Sequence, residues 1–137
     1  MLNIDNINKL IEKLKTTKRC ELDDDYNIRE NGFSMDSYCD DCNSPCCIAG
    51  HAIAMDNSDG KVVVPKNKSP NDFAAEKLGL DPEWAEENLF DLRHDEYYNI
   101  DISKITPKQA IKALKRIIDA GEGYDSLDYR DLWKGAF

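Results

Sequence analysis

Nowhere among the 137 residues do apolar side chains run on for the roughly 18 positions that a membrane span needs, and the N-terminus has no apolar signal region. The expectation is a soluble, cytoplasmic protein of a bacterial cell with no membrane partner. Basic residues are scarce: 18 Lys and Arg stand against 27 Asp and Glu, a net charge of −9. Such a charge repels a phosphate backbone, so direct nucleic-acid binding is not expected. One of the two histidines, His51, lies beside the cysteines. The chain also lacks a phosphate-binding glycine loop, a nucleophile elbow and a His-Glu-x-x-His helix, and no enzymatic activity is expected of it. An odd count of five cysteines in a reducing compartment argues against a disulfide framework. No internal repeat or low-complexity segment is present.

What is there reads as helix. Apolar residues fall at Ile4, Ile7, Leu10, Ile11 and Leu14 with lysines between, a period of 3.6. Four of the five prolines follow a capping residue, at Ser44-Pro45, Ser69-Pro70, Asp81-Pro82 and Thr106-Pro107. The cap oxygen accepts from an orphan amide of the first turn, and proline gives up an N–H that had no partner there, so each pair predicts a helix start. Gln109, three residues after Thr106, completes a capping box. The predicted helices run from about Pro45 to Met55, Pro70 to Leu78, Pro82 to about Phe90 and Pro107 to Ala120. The first is apolar nearly all round and should be central. Val62-Val63-Val64 predicts a short strand, with the segment Tyr97 to Ile102 as its pairing partner. The tail with Tyr124, Leu127, Leu132, Trp133 and Phe137 is too apolar for a free linker and should pack on the body or on a partner. The fold expected is mainly α: a single domain over residues 1–137, with about five helices and at most a minimal β-hairpin.

Cysteine is concentrated in one stretch, Cys39-x2-Cys42-x4-Cys47-x3-His51, with Cys46 beside Cys47. It admits three readings. As metal ligands, Cys39, Cys42, Cys47 and His51 would supply the four soft or borderline donors of structural zinc, although only four residues separate the two pairs. As a reactive site, Cys46 and Cys47 in a first helical turn would hold a stabilised thiolate, with His51 one turn on as its base, giving a Cys/His-dependent enzyme. As packing, free cysteines behave as small hydrophobes, and Gly50 would allow close helix approach. The loop Asp56 to Gly60 is not a calcium site, because Met55 stands where the first carboxylate belongs and no Glu closes it.

Acids gather in two regions. Asp23, Asp24, Asp25, Asp40 and Asp41 lie before and within the cysteine stretch, and Glu83, Glu86, Glu87, Asp91, Asp95 and Glu96 follow Pro82. Closely spaced carboxylates can imitate phosphates toward Lys and Arg, so these residues form the candidate interaction surface, and a protein partner with a basic groove is expected. No cofactor is expected, with zinc as the alternative. The spacing leaves the oligomeric state open.

Phe33-x-Met35 followed by an aromatic, Cys42-x4-Cys47-Ile48-Ala49-Gly50-His51-Ala52, Leu78-Gly79-Leu80, Leu89-Phe90 and Ile105-Thr106-Pro107 with Ala110 together resemble a family of small uncharacterised proteins of bacteria and their phages. That family carries a motif of the form Cys-Gly-Thr-x-x-Cys-Ile-Ala-Gly-His/Trp-Ala. The resemblance covers residues 33 to about 118. This chain has Asn43-Ser44 in place of Gly-Thr and adds Cys39. Because Trp often takes the place of His51 in the family, the resemblance implies a packed helix anchored by Cys42 and Cys47 more than a metal site. The family brings no activity to carry over; charge placement and the resemblance together lead to the expectation of a phage or mobile-element accessory protein, an acidic inhibitor of a host defence enzyme.

Overall fold

The computed structural model describes residues 1–17, 33, 35, 47–92 and 105–135. Over these the protein is mainly helical, with α1 (Ile4–Lys15), α2 (Ile48–Ala54), α3 (Pro70–Leu78), α4 (Pro82–Ala85), α5 (Pro107–Ala120) and α6 (Tyr129–Leu132). A π-helical turn, Glu86–Phe90, continues α4, and a 3-10 segment, Gly121–Ser126, continues α5.

The capping pairs act as their chemistry requires. Ser69, Asp81 and Thr106 accept from the amides of Asp72, Trp84 and Gln109 at 3.1, 2.9 and 3.2 Å, and the Gln109 side chain reaches back to the Thr106 amide. The fourth pair, Ser44-Pro45, lies outside the described residues. α2 starts later than expected, at Ile48, with Cys47 as its N-cap. α1 is capped by Asn3 and buries Ile7, Leu10, Ile11 and Leu14, while Ile4 faces solvent.

α3 ends on Gly79 in the left-handed region, φ +70°. The Gly79 amide bonds the Glu76 carbonyl and the Leu80 amide the Ala75 carbonyl, a Schellman stop. The bare α-carbon serves a second purpose, because a Cβ there would sit 2.1 Å from the Met1 carbonyl oxygen and 2.5 Å from the Asn3 nitrogen. The chain start thus runs across the end of α3, with the Asn3 amide donating to the Leu78 carbonyl and the Leu2 amide to Glu122.

The expected strand at Val62 to Val64 is not formed: the described residues 61–65 are assigned to no strand. Val62 is buried while Val63 is 63 % exposed, and Pro65 closes the segment without an amide to donate. Its expected partner, Tyr97 to Ile102, lies outside the described residues.

One core joins the helices. α2 packs on α3, and α1 packs on α5. Ile48, Ala49, Ala52 and Ile53 of α2 are completely buried with Leu78, Leu89, Leu114 and Ile117, so α2 is central as its composition predicts. The tail packs back on the body, with Leu132 and Trp133 buried.

Candidate functional site

The cysteine stretch enters the described structure at Cys47. Its side chain is buried and its sulfur accepts from the Gly50 amide at 3.5 Å, so it caps α2 instead of lying in its first turn. His51 follows one turn later, its amide donating to the Cys47 carbonyl at 2.9 Å. The imidazole is buried and stacks on Phe33, ring centroids 6.1 Å apart and planes 21° from parallel. Cys47 and His51 are therefore brought together on one side of a buried helix. Cys39, Cys42 and Cys46 lie outside the described residues. Among the described residues no group of three or more His, Cys, Asp or Glu is placed to hold a metal. The burial of Cys47 and its use as a cap suit an ordered thiol in the core.

The second acidic region is partly described. Glu83, Glu86 and Glu87 are all exposed, at the i, i+3 and i+4 spacing that puts them on one face of the continuous α4 and π unit. Asp81 is exposed too, but one carboxylate oxygen is engaged by the Trp84 amide. Asp91 is half-buried just beyond the π turn. No Lys, Arg or His occurs between Gly79 and Leu92. Asp23, Asp24, Asp25, Asp40, Asp41, Asp95 and Glu96 lie outside the described residues.

The opposite side of the unit is fixed. Trp84, Ala85, Leu89 and Phe90 are buried. The Trp84 indole donates to the Leu127 carbonyl at 2.8 Å and meets Tyr124 edge-on at 4.8 Å, while the Tyr124 hydroxyl accepts from the Asp81 amide at 2.7 Å. Asn88 is the hub. Its side chain donates to the Trp84 carbonyl and accepts from the Tyr129 amide, and its carbonyl, an orphan at a helix end, accepts from the Trp133 indole at 3.0 Å. Sequence reasoning missed Asn88, because a single Asn between acids and an apolar pair carries no sign of contacts more than 40 residues away. The result is a row of carboxylates mounted on a unit tied down from behind.

Two charged groups are shifted from their ordinary ionisation. Lys13 Nζ is buried with no hydrogen-bond partner among the described residues, and desolvation lowers its pKa to about 8. Asp56 lies between Lys9 and Lys77; the hydrogen bond from Lys9 is the main cause holding its carboxyl below the usual range, with Lys77 adding to it. Lys77 also donates to the Ile53 carbonyl in the last turn of α2.

These features define a mainly helical protein with a fixed, exposed acidic face. Compared with protein-family models, curated proteins and solved structures, the chain matches none. Among the described residues no helix is long and apolar enough to cross a membrane.

Proposed function

We propose that the protein works without catalysis, by binding another protein through its acidic surface, as an accessory protein of the phage or mobile-element type. Its carboxylates would occupy a basic groove that otherwise receives nucleic acid, which makes an enzyme of host defence the partner class. The observation that carries this reading is the exposed row Glu83, Glu86 and Glu87 on a unit held rigidly from behind. Carboxylates so placed meet Lys and Arg at helical spacing, and prior ordering of the unit lowers the entropy lost on docking.

Affinity purification from a bacterial lysate with the wild type and with the Glu83→Lys/Glu86→Lys/Glu87→Lys variant tests it. The expected result is a nucleic-acid-handling protein retained by the wild type, released by a DNA oligonucleotide and lost with the variant. Retention by the variant, or failure of DNA to compete, removes the basis of the proposal.

The second reading is a structural zinc module using Cys39, Cys42, Cys47 and His51. The observation in its favour is the Gly50 amide aimed at the Cys47 sulfur beside a buried His51, since amide donors stabilise the thiolate form that zinc requires. One equivalent of zinc in purified protein, lost in Cys42→Ser, is its expected outcome; metal-free folded protein ends it.

A further inference from the structure

The described basic residues are not evenly spread. Lys108, Lys112, Lys115 and Arg116 lie on α5, and residues 106–118 contain no acid. Lys112 and Arg116, four residues apart, share a face of α5. Against that face the turn after α6 brings Lys134 and Gly135. Between them is a small open notch, about 20 Å³, lined by Gln109, Lys112, Arg116, Trp133, Lys134 and Gly135. Three cationic side chains meet there, and among the described residues no carboxylate lines it.

The surroundings are fixed. Arg116 donates through both terminal nitrogens, to the carbonyls of Leu132 and Lys134, and so clamps the turn onto α5. A guanidinium has five N–H groups, so these two bonds leave donors over. Trp133 is buried, with its indole N–H committed to Asn88, and makes an apolar floor. Lys112 and Lys134 are exposed, and neither forms a salt bridge among the described residues. Like charges gathered round a concavity focus a positive potential, here on the surface of a protein whose net charge is −9.

We infer that this notch is an oxyanion-binding site, taking one oxygen of a phosphate or carboxylate group between Lys112, Arg116 and Lys134. The volume suits one water-sized atom, so the rest of the ligand stays outside. The inference is independent of the acidic face and of any zinc site.

Amide NMR spectra of the full chain, titrated with inorganic phosphate, with acetate, and with chloride at matched ionic strength, test it. Saturable shifts at Lys134 and Gly135 are expected with phosphate or acetate, with half-saturation on the order of millimolar. Which oxyanion saturates at the lower concentration identifies the source of the group. In Lys112→Gln/Lys134→Gln, which alters only exposed side chains, affinity should fall by about tenfold or more while the remaining spectrum stays folded. Shifts that do not saturate, that chloride reproduces, or that persist at unchanged affinity in the double variant overturn the proposal.

Discussion

Lys13 has a buried tip on a side chain that is only partly buried as a whole, whereas lysine usually keeps its charged head in water. With its folded pKa near 8 and an unfolded value of about 10.4, the unfolded chain holds a proton that the folded chain has lost between those two pH values. Stability therefore rises with pH across that window, and below it the buried ammonium is a cost. Lys13→Met should stabilise the protein by about 1 kcal/mol near neutral pH, a figure kept small because the side chain is partly in water. The gain should shrink by about pH 10. Urea unfolding at both pH values checks this, and a gain that does not change with pH would contradict it. Gly79 gives a second prediction at this scale. Gly79→Ala must both hold a left-handed φ and push a methyl into the Met1 carbonyl, so a loss of about 2–4 kcal/mol is expected in the same unfolding measurement.

Among the elements, what could be read in the sequence was what the chain decides locally. Ser69-Pro70, Asp81-Pro82 and Thr106-Pro107 make helix starts because cap and proline act within one turn. Gly79 stops α3 for an equally local reason. Cys47 as a cap was not legible, because a thiol is a poor competitor with Ser or Asp and wins here only within buried packing. The π turn was hidden for another reason. Its bond from the Asp91 amide to the Glu86 carbonyl widens a helix that reads as an ordinary one, while Asn88 joins it to the tail across 41 and 45 residues. The exposed glutamates of the candidate site followed from helical spacing; the rigid backing that makes them a platform did not. Asn88→Ala removes two side-chain bonds at that junction and should cost about 1–3 kcal/mol, with earlier proteolytic cleavage of the segment 121–135. Wild-type resistance in the variant would show that apolar packing and the remaining bonds of Trp84, Tyr124 and Trp133 hold the tail without the Asn88 side chain.

For the whole molecule, charge separates function from stability. Reversing Glu83, Glu86 and Glu87 to Lys takes the net charge from −9 to −3, since each reversal adds two and −9 + 6 = −3. These side chains are exposed, and like charges at i, i+3 and i+4 repel, so the variant should unfold within about 1 kcal/mol of the wild type. Circular dichroism and thermal unfolding are the checks. An unfolded variant would make its loss of partner uninformative, and a folded one assigns that loss to the acidic row.

The tie between the two ends of the sequence also has a consequence during synthesis. The Leu2 amide finds Glu122 across 120 residues, and Trp84, Asn88 and Asp81 each have a partner in the segment 124–133. A growing chain folds from its N-terminal side as it leaves the ribosome. Here α1 to α4 emerge first, with Trp84 still awaiting Tyr124 and Leu127 of the tail. The nascent protein therefore leaves this surface uncovered until the segment 124–133 has itself left the ribosome.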